Sequence, residues 1–238
     1  MIGDKKIVCV IPARLGSTRF PRKMLSLLKG KPLVQWAYEG AMQCSCFDEV
    51  VVAVDSDELL RAVEGFGGKA LLTSPHCQNG TERLVELQRT GALEADIWVC
   101  WQGDEPFITP AVINTLLQSC NNEDEEIWTL KRAIEDPEHI QSPHVVKVVC
   151  DHQGRALYFS RSPIPHNGKQ IFKHVGIYAY SNAALKKIST LTLCPPEEAE
   201  KLEQLRFLYN GLTMQVQETN EEIFGIDTAE QLAVAESR

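Results

Sequence analysis

The chain contains no apolar run approaching the roughly 18 residues that a membrane-spanning helix requires, and it is short of positive charge. Its 238 residues carry 24 Lys and Arg against 32 Asp and Glu, a formal net charge of −8. That balance, with a sequence pI of about 5.3, excludes broad affinity for nucleic acid or for an anionic membrane. No signal peptide is expected, because Met1 to Lys6 lead straight into an apolar strand, and residence in the cytoplasm follows as an expectation. The eight cysteines include no zinc-knuckle spacing: Cys44-Ser45-Cys46 is too close and has no second pair. Cys9, Cys100 and Cys150 lie in or at the end of apolar runs and read as small buried hydrophobes, so free thiols are expected.

Against this acidic background one stretch stands out. Ile7 to Ile11 is an apolar run with the look of a buried first strand. It continues as I-P-A-R-L-G-S-T-R-F-P-R-K, where Arg14, Arg19, Arg22 and Lys23 fall within ten residues uninterrupted by an acid. Pro12, Gly16 and Pro21 oppose regular structure there. A cationic, irregular loop leaving the carboxyl end of a strand in an open α/β sheet is an anion site, and phosphate is the usual anion.

Further along, strands and helices alternate. A helix is expected after Pro32, a strand over Glu49 to Val54, and a helix beginning at Asp55 as its cap with Glu58 three residues on. A short strand ends at Leu72, and a polar loop then runs through Asn79-Gly80-Thr81 into a helix. Its amino terminus is either a site for an anion or a base edge or an ordinary capped turn. Asp96 to Trp101 is a fourth apolar strand that ends in Gln102-Gly103-Asp104-Glu105-Pro106. A carboxylate there suits a hard cation, with Asp104 as the ligand and Glu105 as support; the alternative is an Asx turn before Pro106. From about residue 130 to 180 the pattern shifts to hairpin-like strands. The expectation is one domain over 1–238, an α/β fold with a mixed, mostly parallel central sheet and an excursion at about 130–180. Arg161, in a proline-interrupted segment, could fork onto a carboxylate. Glu197 to Tyr209 reads as one helix with Leu202, Leu205 and Leu208 inward, and Glu203 and Gln204 flank that stripe. Asp227 with Glu230 forms a D-x-x-E capping box, which competes with a role as a second metal carboxylate and locally outweighs it.

The motifs I-P-A-R-L-G-S-T-R-F-P-x-K, Q-N-G-T-E-R, Q-G-D-E-P, V-V-K-V-V, A-L-Y-F-S-R-S-P-I-P, H-V-G-I-Y-A-Y, E-x-L-E-Q-L-R and G-I-D-T occur here in order. In sequence and spacing the chain resembles the CMP-KDO synthetases (3-deoxy-manno-octulosonate cytidylyltransferases) from Ile7 to about Ala235. The resemblance implies a Rossmann-like nucleotidyltransferase domain with a smaller dimerisation and sugar-covering excursion, working as a homodimer. It implies that CTP and KDO give CMP-KDO and pyrophosphate with Mg²⁺, for lipopolysaccharide biosynthesis. It also implies roles. Ala13, Arg14, Ser17, Arg19 and Lys23 would hold the triphosphate and nucleotide, and Asn79, Gly80 and Thr81 would lie near the cytosine. Gln102 would bridge nucleotide and sugar, and Asp104 and Asp227 would bind Mg²⁺. Arg161 would meet the KDO carboxylate, while His174, Glu203 and Gln204 read its hydroxyls. Arg14, Lys23, Asp104 and Asp227 would form the catalytic set. Two positions depart from the pattern: Arg22 stands where the family has glycine, and Asn79 where it tends to serine. The rival expectations are a CMP-sialic acid synthetase and a non-catalytic sugar-nucleotide binding protein.

Overall fold

A computed structural model of the chain describes residues 4–16, 20–121 and 126–237. They divide into two compact units, one of residues 4–114 with 222–237 and the other of residues 115–221.

The first unit is a parallel α/β layer. It runs through β1 (Ile7–Ala13), a small β2 (Leu27–Leu28) and β3 (Lys31–Pro32) ladder, α1 (Leu33–Met42), β4 (Glu49–Val54), α2 (Asp57–Gly65), β5 (Ala70–Leu72), α3 (Gly80–Thr90) and β6 (Ile97–Cys100). The helix α4 (Pro110–Leu117) follows. Strand order is β5-β4-β1-β6, and every neighbouring pair is parallel. The sequence makes this arrangement inevitable for β1: all seven of its residues are buried, which only a strand covered on both faces tolerates. Each fully buried Val or Ile contributes about 1.5–3 kcal/mol. Because the strands are parallel, Ala13, Val54, Leu72 and Cys100 all end at one edge of the sheet. The loops that leave them meet there.

The second unit carries β7 (Ile127–Ala133), α5 (Pro137–Gln141), β8 (Lys147–Cys150), β9 (Ala156–Ser160), β10 (Phe172–Ser181), α6 (Asn182–Ile188), α7 (Pro195–Glu200), α8 (Gln204–Tyr209) and β11 (Met214–Glu218). Its strand order is β11-β7-β10-β8-β9, with β11 parallel to β7 and the other pairs antiparallel. The ladder between β10 and β7 slips at a bulge between Val175 and Tyr178. The chain then returns to the first unit with α9 (Ala229–Glu236). The α/β class and the mixed, mostly parallel pairing are as expected. No helix among the described residues is long and apolar enough to cross a membrane.

Three local expectations are corrected. The cap of α2 is Ser56, whose side chain accepts from the Leu59 N–H, and not Asp55. The single helix over Glu197 to Tyr209 is two, α7 and α8, broken at Lys201 in the left-handed conformation (φ 54, ψ 47). Leu202 and Leu205 are buried as expected, but the third inward residue is Phe207, edge-on to Tyr180, rather than Leu208. Finally, α9 is capped by Thr228 with Gln231 in a full capping box, one register beyond Asp227 and Glu230. Cys9 and Cys100 are buried, Cys150 is half-buried, and all the cysteines are free thiols.

Candidate active site

At Ala13 the chain reaches the carboxyl edge of the parallel sheet, and Arg14 emerges exposed. The next residue is held from below: the Leu15 N–H donates to Asp55 Oδ1 at 3.2 Å. Asp55 Oδ2 lies 3.8 Å from the guanidinium of Arg83, which is buried and donates to Thr73 Oγ1 at 2.6 Å. One ionic cluster therefore ties the residues that follow β1, β4 and β5 to α3. Sequence reasoning missed it, having assigned Asp55 to a helix cap. The available signal was Arg83, a charge on the side of α3 that carries Leu84 and Leu87. Ser17 and Arg19 lie outside the described residues.

The loop closes on itself at Arg22, whose N–H donates to Leu15 O at 3.2 Å. Arg22 is in the left-handed region (φ 58, ψ 24), which glycine enters without steric cost. This accounts for the glycine that the resemblance places at the position. Here the arginine accepts the strain and sends its guanidinium outward onto exposed Glu58. The short turn Lys23–Leu25 then carries Lys23 inward, where it is buried.

Lys23 Nζ donates to Asp104 Oδ2 at 2.6 Å and to Asp227 Oδ1 at 2.9 Å. Burial opposes the charge on Lys23, but Asp104 and then Asp227 more than offset it, and its pKa is raised. Asp104 comes from the turn after β6, where the Glu105 N–H donates to Gln102 O at 3.0 Å. Glycine at 103 allows close packing here, since a Cβ would sit 2.9 Å from Met24 Sδ and 3.1 Å from Pro12 O. Asp227 arrives on the segment before α9, and the Ile226 N–H donates to Asp104 O at 2.8 Å, pinning the two acidic loops together. Because Thr228 supplies the cap, Asp227 Oδ1 goes to Lys23, so the local preference for a capping Asp227 is overturned.

The donor set fits a hard divalent cation. Two carboxylate oxygens from separate loops already converge on one positive charge, and Mg²⁺ is commonly held by one or two carboxylates plus substrate phosphates. Beside them, α3 points its amino terminus at the same edge. A Cβ on Gly80 would lie 3.0 Å from Pro12 Cγ and 3.3 Å from Gln102 Nε2, so this helix start and Gln102 are immediate neighbours. Asn79 caps the helix, its Oδ1 accepting from the Glu82 N–H at 2.8 Å. Thr81 is buried. Ala13, Arg14, Lys23, Asn79, Gly80, Thr81, Gln102, Asp104 and Asp227 all belong to the first unit.

Arg161, His174, Glu203 and Gln204 belong to the second unit. Arg161 ends the β9 segment. Its guanidinium donates to Glu200 O at 2.7 Å, Pro143 O at 2.9 Å and Lys201 O at 3.4 Å, and its N–H donates to Glu200 Oε2 at 2.8 Å. The left-handed break at Lys201 ends α7 and leaves the carbonyls of Glu200 and Lys201 to Arg161. The buried Lys147 supports the Arg161 strap, the segment after β9, donating to Ser142 O at 2.9 Å, Val145 O at 2.7 Å and Arg161 O. Its charge inside the apolar run V-V-K-V-V was the available clue. Glu203 opens α8 and Gln204 is buried. Rings link that helix to β10: Phe207 to Tyr180 at 6.3 Å, Tyr180 to Tyr178 at 5.7 Å, Tyr178 to His174 at 5.3 Å. Burial lowers the His174 pKa to about 3.

Residues 8–223 match the family model for cytidylyltransferases. The chain is 45% identical to the 3-deoxy-manno-octulosonate cytidylyltransferase of Thermodesulfovibrio yellowstonii, covering 96% of each. It is also 45% identical to that of Chloroherpeton thalassium, covering 96% of this chain and 95% of the relative. A solved CMP:2-keto-3-deoxy-manno-octonic acid synthetase complexed with CTP superposes with a TM-score of 0.92 at 42% identity, over 98% of this chain and 97% of that one. A 4-diphosphocytidyl-2C-methyl-D-erythritol synthase from Anaerococcus prevotii, at 14% identity and a TM-score of 0.65, shares the fold.

Proposed function

The chain belongs to the cytidylyltransferase family, among the 3-deoxy-manno-octulosonate cytidylyltransferases, and on that premise we propose that it couples CTP to KDO, releasing pyrophosphate and CMP-KDO. The observation that carries the reading to particular residues is the Lys23 ammonium held between Asp104 and Asp227 at the strand ends. An ammonium and two carboxylates at the carboxyl ends of parallel strands suit a polyphosphate and a divalent cation.

In this reading Asp104 and Asp227 hold Mg²⁺. The bound ion supplies charge neutralisation on the phosphates of CTP. Lys23 then exchanges a carboxylate partner for a phosphate oxygen. Arg14, with Ser17 and Arg19, meets the triphosphate beside the backbone of Ala13. The amino terminus of α3, with Asn79, Gly80 and Thr81, faces the nucleotide, and Gln102 lies between nucleotide and sugar. Arg161 takes the KDO carboxylate, and His174, Glu203 and Gln204 take its hydroxyls. The anomeric hydroxyl oxygen of KDO attacks the α-phosphorus as the bond to pyrophosphate breaks, and the proton of that hydroxyl leaves to solvent. Positioning and charge matching by Arg14 and Lys23 carry the step. The reading extends to a cytoplasmic homodimer that supplies lipopolysaccharide assembly, and sedimentation would check its assembly state.

The test is pyrophosphate release from CTP with KDO or sialic acid as acceptor, with and without Mg²⁺. Release that needs both KDO and Mg²⁺ is expected. Release only with sialic acid would overturn the sugar assignment. CTP binding without release for either acid would make the chain a binding protein.

A further inference from the structure

Thr129 is a polar residue at the centre of β7, fully buried, and the reaction as described makes no use of it. Its hydroxyl lies 2.8 Å from Ile177 O, 3.2 Å from Val175 O and 3.0 Å from His174 Nε2. The two carbonyls flank the bulge at which β10 slips against β7. A bulge interrupts the ladder and re-aims the side chains beside it, and here the threonine hydroxyl fills the interruption. A hydroxyl has one hydrogen. Both carbonyls can only accept, so that hydrogen must go to one of them; turned toward His174, it would leave oxygen facing oxygen at 2.8 Å. The hydroxyl oxygen is therefore left to accept, and His174 Nε2 must carry the hydrogen it accepts.

We infer that Thr129 is a positioning residue that locks His174 as the Nε2–H tautomer, leaving Nδ1 as a hydrogen-bond acceptor for a sugar hydroxyl. The ring is also fixed in angle, edge-on to Phe159 at 5.0 Å and against Tyr178. Its lowered pKa agrees with a neutral ring. An acceptor nitrogen has a definite selectivity: it takes a hydroxyl, which donates, and repels a carboxylate, which cannot. Two chemically different groups of one sugar acid are thereby sorted, the acid to the cationic Arg161 strap and a hydroxyl to His174. The sugar half of this inference rests on the proposed KDO activity, while the tautomer half does not.

The two halves are tested separately. Nitrogen-15 spectra of the imidazole in the sugar-free protein near neutral pH should show Nε2–H on His174. An Nδ1–H tautomer or an imidazolium would overturn the inference. Thr129→Val keeps the shape and removes the hydroxyl. It should let the ring sample both tautomers and raise KM for KDO about tenfold, as expected when the Nε2–H donor loses its acceptor, with KM for CTP unchanged. Thr129→Ser should restore both the spectrum and KM. If Thr129→Val unfolds, the native spectrum and the serine variant still decide. Equal KM changes for both substrates, or none, would reduce Thr129 to a packing residue. Absence of KDO turnover in native protein with the Nε2–H spectrum would overturn the activity reading and leave the tautomer standing.

Discussion

Lys23 donates to Asp104 at 2.6 Å across 81 positions of sequence, and this contact joins the cationic loop after β1 to the acidic turn after β6. Replacing Asp104 by asparagine keeps an oxygen for Lys23 but removes the charge that attracts a divalent cation. Turnover should fall at least about 100-fold, the scale for losing one electrostatic stabiliser of a transition state. The melting temperature without metal should stay close to native, and the rise in melting temperature that Mg²⁺ and CTP together give the native protein should be lost. Calorimetry beside a pyrophosphate assay checks both parts. Near-native activity would remove Asp104 from the metal site.

Arg22 gives the second prediction. Its left-handed backbone costs an arginine what it does not cost a glycine, and the ion pair it gains with Glu58 is exposed on both sides. Arg22→Gly should therefore raise the melting temperature slightly and leave KM for CTP near native. A lower melting temperature would mean that the Glu58 contact contributes more than the backbone strain costs.

Much of the first unit was legible because its signals are local. The short apolar run Ile7 to Ile11 reads as a covered strand, and Pro12, Gly16 and Pro21 mark the charged stretch after it as a loop. Asp104 at a strand end announced itself in the same way. Asp227 did not, because D-x-x-E and T-x-x-Q are offset by a single residue and either could cap α9. The deciding partner, Lys23, lies 204 positions away. The break at Lys201 had no glycine or proline to mark it; it is held by the Arg161 guanidinium taking the freed carbonyls. Thr129 was invisible for the opposite reason. Threonine is an ordinary strand residue, and only the bulge in a neighbouring strand gives its hydroxyl something to do.

Lys147 supports the third prediction. Its side chain is fully buried, burial lowers its pKa, and its ammonium satisfies three backbone carbonyls. Lys147→Met fills the volume but leaves those carbonyls without their donor. A cost of about 2–4 kcal/mol is expected, read as a lower urea midpoint. Because one of the carbonyls belongs to Arg161, KM for KDO should rise while KM for CTP holds. An unchanged urea midpoint would show that water replaces the ammonium.

His174 predicts an acid limb in the stability of the protein. Its folded pKa is lowered to about 3 by burial, against about 6.5 for an unfolded histidine. Between those values the unfolded chain holds a proton that the folded chain does not. Stability therefore rises with pH across the window. The stability is fully present above about pH 6.5 and is lost progressively as pH falls toward 3, by up to roughly 3–5 kcal/mol. Carboxylates titrate in the lower part of that window, so the informative region is pH 5 to 6.5, where histidine dominates. His174→Gln offers Thr129 an N–H without a titrating ring. Its urea midpoint should change less with pH than the native midpoint between pH 5 and 6.5. Parallel curves for the two proteins would mean that the His174 ring already takes a proton in the folded state, and the Nε2–H assignment would have to be limited to higher pH.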